Sequence, residues 1–148
     1  MKFRSKNLLV TGGAGFIGSN FIEFILEKYE SVKVFNIDKL TYAGKLSNTK
    51  SFQNNKRYKF IKGCICDKTL IEKIFKKYEI DGVVNFAAES HVDNSISKPE
   101  IFIKTNINGV YNLLTVAYEN WIDSNFKVKI KFINSRFHQI STDEIYGS

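Results

Sequence analysis

At 148 residues the chain is sized for one compact domain, long enough to bury about 68–70% of the surface its unfolded form exposes, so no staple is required. Apolar residues make up 43% and aromatics 14%, and no apolar run approaches the roughly 20 residues of a membrane-spanning helix, which excludes a helical membrane protein. The net charge of +7 comes from 19 Lys and 3 Arg scattered along the chain with no nucleic-acid motif beside them, so solvated lysines account for it better than a polyanion site.

The basic N-terminus has only a short apolar stretch, which runs into glycines and offers no signal-peptide cleavage pattern, so a cytoplasmic protein is expected. Residues 7–11 (NLLVT) read as a strand, and residues 16–29 as the helix that follows. Between them lies "TGGAGFIGS", which fits G-x-G-x-x-G and spaces Gly12, Gly15 and Gly18 three residues apart. Such glycines permit a tight turn, backbone approach to a pyrophosphate and close helix–sheet packing, with the helix N-terminus supplying positive potential. The next strand, residues 32–37, ends at Asp38, 20 residues beyond Gly18, where a carboxylate suits ribose hydroxyls and repels a 2′-phosphate. This context predicts dinucleotide binding, with NAD preferred to NADP even though Lys39 follows. A P-loop is excluded because Ser19, not Lys, follows Gly18.

Residues 38–57 are irregular and predict a long loop with one short helix. A strand is expected over residues 58–65, followed by a helix over 69–78 with Asp67 as its N-cap. Cys64 and Cys66 fall at that strand's end and are expected as buried thiols without a mutual disulfide. Residues 82–87 form the next strand, with Gly82 at the junction before it. Pro99 suits the first turn of a long helix over 99–121, whose Ile103, Ile107, Val110, Leu114 and Ala117 repeat at the spacing of a core-facing stripe. Residues 127–132 alternate Lys with apolar residues, as at an exposed strand start or an edge strand, and the last strand is expected over 137–141 with His138 buried and satisfied. Alternating apolar strands and helices predict an α/β fold: a Rossmann-type doubly wound parallel sheet with helices on both faces, residues 1–148 forming one dinucleotide-binding domain.

The segments "TGGAGFIGS", "IDKLTYAG", "NFAAESHVDNSI", "TNINGVYNLL" and "HQISTDEIYG" together resemble the N-terminal portion of the dTDP-glucose 4,6-dehydratases, a branch of the extended short-chain dehydrogenase/reductase family. The Thr142-Asp143-Glu144 trio and "LTYAG" point to this branch and away from sugar 4-epimerases and GDP-mannose dehydratases. The resemblance implies that Gly12, Gly15, Phe16, Ile17 and Gly18 surround the NAD pyrophosphate, and that Asp38, Lys39, Leu40, Thr41 and Gly44 border the adenosine ribose. It also implies that Ile65, Ala87, Ala88, Glu89 and Thr105 line the cofactor, and that Ser90 and His91 face the nucleotide sugar or the cofactor. For His91, a loop histidine bonded to backbone is the competing reading. Two departures stand out. Cys64 replaces an acidic residue near the adenine and cannot accept from its amino group as a carboxylate would, and Asn94 replaces an arginine in the substrate region.

The implied reaction dehydrates a hexose through a transient 4-ketone, which acidifies C5. Glu144 would take the C5 proton, Asp143 would protonate the departing C6 hydroxyl, and Thr142 would hydrogen-bond the C4 oxygen. The family's C4-hydroxyl base is the Tyr of a Tyr-x-x-x-Lys pair beyond this trio. The two local matches, Tyr29 with Lys33 and Tyr58 with Lys62, are misplaced, one straddling a helix–strand junction and the other lying in a strand. The expectation is therefore an incomplete enzyme lacking its C-terminal sugar-nucleotide domain, homodimeric in the full-length family, with a sheet stopping at about five strands and apolar surface left open for association. The competing functions are a non-catalytic NAD(H)-binding fragment and a dehydratase of another nucleotide sugar such as UDP-glucose. No metal site and no nucleic-acid or membrane partner is expected.

Overall fold

The computed structural model describes residues 4–142, which form a five-stranded sheet of order β3-β2-β1-β4-β5. Its strands are β1 (Asn7–Thr11), β2 (Lys33–Asp38), β3 (Tyr58–Lys62), β4 (Gly82–Asn85) and β5 (Arg136–Gln139). Every pairing is parallel; β1 lies at the centre, its Leu9 opposite Phe35 of β2 on one side and Val83 of β4 on the other. The order reverses beside β1, and the carboxyl ends of β1 and β4 at such a switch point open the crevice where ligands bind in this architecture.

The apolar runs of β1 and β2 are continuous because both sheet faces are covered. Along β1, Leu8 and Val10 pack with Ile22, Ile25 and Leu26 of helix α1 (Phe16–Lys28). Leu9 points the other way, into a cluster with Ile71, Ile74 and Phe75 of α2 (Lys68–Tyr78). Asp67 caps α2 as expected, its carboxylate accepting from the Leu70 N–H at 3.0 Å. The loop after β2 contains one short 3₁₀ turn, Leu46–Thr49, matching the expected single short helix.

The helix foreseen over 99–121 has a more complex form. It follows a short α3 (Val92–Ser97) that the sequence did not announce, and opens with Pro99 in α4 (Pro99–Phe102). A π-helical segment, Ile103–Gly109, then leads into α5 (Val110–Trp121). The predicted core stripe is out of phase. Of its members Ala117 is buried as expected, but Ile103, Ile107 and Leu114 are 52%, 60% and 46% exposed, and Leu113, Val116 and Trp121 are buried in their place. A π segment closes i→i+5 hydrogen bonds and so takes an extra residue into its turn, which rotates every later side chain relative to a regular 3.6-residue count.

Three other expectations are corrected. Residues 127–132 form no strand: Asp123 accepts from the Asn125 and Lys127 N–H groups, one bridge pairs Ile122 with Val128, and Ile130–Phe132 is a 3₁₀ turn. His138 is exposed, because β5 has no neighbour on its outer side among the described residues. Cys64 and Cys66 are free but only half-buried, since β3 ends at Lys62 and a turn replaces its expected last residues. No helix among the described residues is long and apolar enough to cross a membrane, and no group of three or more His, Cys, Asp or Glu among them could hold a metal ion.

Arg57, just before β3, fastens the far end of α1. Its guanidinium donates to the carbonyls of Leu26, Tyr29 and Val32 at 2.6, 2.7 and 3.3 Å, placing a cation at the negative end of the helix. Arg57→Met keeps the apolar stem and removes these donors. It is expected to lower folding stability by about 1.5–3 kcal/mol, the scale of hydrogen bonds to a charged group, as measured by the denaturant midpoint.

Candidate functional site

The site is built around the turn from β1 into α1. Gly12 adopts φ +67°, and a Cβ there would stand 2.7 Å from the Ala87 amide nitrogen, so the position needs glycine for both conformation and space. At Gly18 a Cβ would lie 2.5 Å from the Gly12 carbonyl oxygen, which fixes how closely the first turn of α1 approaches the strand. Gly15 caps α1 without a side chain, and no acidic residue occupies the first turn. The positive end of the helix is therefore uncompensated, as an anion site requires. Phe16 and Ile17 stand exposed on that first turn.

Asp38, at the end of β2, is 9% exposed, and its two oxygens each take a backbone donor: Oδ2 from the Ala14 N–H at 2.9 Å, Oδ1 from the Leu40 N–H at 2.7 Å. Each oxygen keeps a further lone pair that a ribose hydroxyl can use. Leu40 has φ +59°, an uncommon conformation for a branched residue, and the chain then folds back so that Lys45 N–H and Asn48 Nδ2 both donate to the Ala14 carbonyl. A Cβ on Gly44 would come within 2.6 Å of Asp38 Oδ1, so the Leu40–Gly44 loop closes over the carboxylate. Lys39 and Thr41 are exposed on this loop.

The opposite wall is the loop after β4. Thr11 donates its hydroxyl to Asn85 Oδ1 in a short hydrogen bond and accepts from the Ala87 N–H at 3.1 Å, while Asn85 Nδ2 donates to Gln139 Oε1 at 2.8 Å. This polar ladder crosses the carboxyl ends of β1, β4 and β5. Asn106, in the π segment, clamps the loop from outside, accepting from the Glu89 N–H at 2.8 Å and donating to the Glu89 carbonyl at 2.9 Å. His91 precedes α3 and is exposed, its ring edge-on to Tyr42 with centroids 6.3 Å apart, so the two walls approach each other there.

The structure thus brings Gly12, Gly15, Gly18, Asp38, Leu40, Gly44 and Ala87 into one cradle, with Ala88, Glu89, Ser90 and His91 along its far wall. Thr105 is half-buried in the π segment, one residue before Asn106. The Ile65 side chain is in the core at 4% exposure. Thr142 is exposed beyond β5; Asp143 and Glu144 lie outside the described residues. The two Tyr-x-x-x-Lys matches stand apart from the cradle in function. Lys33 begins β2 opposite Asn7, at the other end of the sheet, and the Tyr58 hydroxyl accepts from Asn36 Nδ2 at 2.9 Å while burial pushes its pKa up.

Sequence reasoning missed Thr11, Asn36, Asn85, Asn106 and Gln139. Asn36 accepts from the Gly13 N–H at 3.1 Å and supports the glycine turn from below. The available signal was a polar residue inside three otherwise apolar strands, at 11, 36 and 85, since a buried amide or hydroxyl needs a partner. A cradle that a Cβ would fill, an uncapped helix start and a buried carboxylate one strand away fit an adenine dinucleotide.

Comparison with known proteins agrees. The family model for GDP-mannose 4,6 dehydratase matches residues 9–148. The dTDP-glucose 4,6-dehydratase of Haemophilus influenzae is 52% identical over 141 residues, covering 95% of this chain and 40% of that protein. The crystal structure of dTDP-glucose 4,6-dehydratase from Bacillus anthracis in complex with NAD superposes with a TM-score of 0.76 at 41% identity, over 96% of this chain and 39% of that one. The enzyme of the same name from Streptomyces venezuelae, with NAD and TYD bound, gives 0.72 at 42% identity, over 77% of this chain and 36% of that one. The chain spans about 40% of the length of the curated relatives it matches. On the match over residues 9–148 and this level of identity, the chain belongs to the GDP-mannose 4,6 dehydratase family, alongside the dTDP-glucose 4,6-dehydratases.

Proposed function

We propose that this chain is the NAD-binding part of a nucleotide-sugar 4,6-dehydratase, acting on dTDP-glucose to give the 4-keto-6-deoxy sugar. The observation that carries this reading is the buried Asp38 carboxylate facing an uncapped, glycine-lined helix start. When bound, NAD supplies a hydride acceptor and donor for the sugar. The residues of the chain do the rest. The N–H groups of the β1–α1 turn hold the pyrophosphate, Asp38 accepts from the ribose hydroxyls, and the loop 87–91 walls the nicotinamide end. Thr142 donates a hydrogen bond to the C4 oxygen, Glu144 removes the C5 proton and Asp143 protonates the leaving C6 hydroxyl, so that water departs.

The base for the C4 hydroxyl is assigned to a Tyr-x-x-x-Lys helix in a further segment, which also brings the sugar-nucleotide domain. Two surfaces suit such additions. A groove of about 1190 Å³ runs along the α1 face of the sheet, lined by Leu8, Phe21, Phe24, Val84, Phe86 and Ile140. On the opposite face, Ile103, Ile107, Tyr111, Leu114 and Tyr118 form an exposed apolar stripe at helical spacing, which suits self-association through paired helices. A non-catalytic NAD(H)-binding role and a UDP-glucose substrate share the same cradle; the turnover measurement below, run in parallel with dTDP-glucose and UDP-glucose, separates them.

Calorimetric titration is expected to show NAD binding that Asp38→Ala weakens about tenfold to a hundredfold, the worth of charge-assisted hydrogen bonds, with less discrimination against NADP. Unchanged affinity would remove Asp38 from the site. The 148-residue chain with dTDP-glucose and NAD is expected to give no 4-keto-6-deoxy product by chromatography, and to gain turnover when a relative's C-terminal half is added; efficient turnover alone overturns the assignment of the missing base. Leu114→Glu is expected to shift sedimentation toward the monomer, and an unchanged profile would clear the α5 stripe of that role.

A further inference from the structure

The turn between β3 and α2 holds the chain's two cysteines at the adenosine end of the cradle. Gly63 N–H donates to the Asp38 carbonyl at 3.0 Å, so the turn starts directly beside the residue that binds ribose. A dinucleotide with its pyrophosphate at the glycine turn and its ribose on Asp38 carries its base onward over the ends of β2 and β3, toward this turn. The turn is closed by the Asp67 N–H donating to the Cys64 carbonyl at 3.0 Å, and this curvature brings the Cys66 N–H to within 3.4 Å of Cys64 Sγ. In a straight strand the two side chains would stand apart; here the backbone curls one cysteine onto the other. Both thiols are half-buried, so small solutes reach them.

We infer that Cys64 and Cys66 form a thiol-oxidation site at the adenine end of the cofactor groove, where a peroxide joins them as a disulfide and weakens dinucleotide binding. The inference rests on the NAD reading of the cradle. The chemistry is self-contained once a peroxide is supplied. The Cys64 sulfur attacks one peroxide oxygen and the O–O bond breaks, leaving a sulfenic acid and releasing water; the Cys66 sulfur then displaces the sulfenic oxygen as a second water. Two thiols are oxidised by two electrons and one peroxide is reduced.

The surroundings act on Cys66 directly. Burial pushes the Cys66 thiol up to about 11, the hydrogen bond and charge of Cys64 add to the rise, and the Lys104 and Lys39 ammonium groups pull the other way. Cys66 therefore holds its proton near neutral pH, and its Sγ–H is held by the Lys104 carbonyl.

Oxidation also reaches beyond the turn. The Cys66 thiol donates to the Lys104 carbonyl at 3.1 Å, and Asn112 Nδ2 donates to the Cys66 carbonyl at 3.0 Å, so the turn is stitched to the π segment and to α5. A disulfide removes the thiol proton and with it the bond to Lys104, while pulling Cys64 away from the base. Cofactor affinity is the quantity that changes.

The test uses the full chain with hydrogen peroxide. The expected result is loss of both titratable thiols, a mass decrease of about 2 Da, and NAD affinity lowered about tenfold and restored by dithiothreitol. Cys64→Ser and Cys66→Ser should each lose the mass decrease, and Cys66→Ser should still bind NAD when reduced. Formation of the disulfide with unchanged NAD affinity, or thiols that persist under peroxide, overturns the inference. Failure of the reduced parent protein to bind NAD at all instead overturns the cofactor reading on which it rests, and the thiol count and mass report on the cysteine pair independently of it.

Discussion

The structure depends on one steric constraint: the β1–α1 turn and the β4 loop occupy adjoining space with no room for a side chain between them. Gly12 sits with its missing Cβ directed at the Ala87 backbone, and Thr11, one residue earlier, bonds to both Asn85 and the Ala87 N–H. The two walls of the cofactor groove are thus held as one piece, and the groove width is set by backbone contact. A larger residue at 12 would have to move the β4 loop, and with it Ala88, Glu89 and the start of α3.

Much of this architecture was legible in the sequence because its signals are local. The G-x-G-x-x-G turn, the acidic end of β2, Asp67 as an N-cap and Pro99 at a helix start each express a conformational or electrostatic preference carried by one or two residues. What the sequence hid depends on distant parts of the chain. The π segment shifted the buried face from Val110 and Leu114 to Leu113 and Val116, because periodicity counting assumes one helical repeat throughout. His138 was expected inside because it lies within the last strand, yet burial of a strand is decided by neighbours elsewhere in the chain. The Thr11–Asn85–Gln139 ladder joins three strands far apart in sequence, so no spacing rule could reveal it.

The position of Thr142 follows from the same logic. Gln139 lies opposite Asn85 in register, and Ile140 N–H donates to the Asn85 carbonyl at 3.1 Å, so the chain leaves β5 at the level where β4 gives way to its loop. Thr142, just past that point, stands at the carboxyl end of the sheet, the end to which this architecture brings its ligands. The placement of Thr142 is therefore a consequence of register: shortening β5 by one residue would turn its side chain to the other face.

The π-helical segment gives the groove its remaining coherence. Within its seven residues, the Lys104 carbonyl accepts from Cys66 in the turn after β3, the Asn106 side chain clamps Glu89 in the loop after β4, and Gly109 leaves space filled by Ile65. The irregular helix that spoiled the sequence-based face assignment thus joins the turn after β3 to the loop after β4. Lys104 and Asn106 lie two residues apart, so the contacts to Cys66 and to Glu89 leave the same turn of the segment.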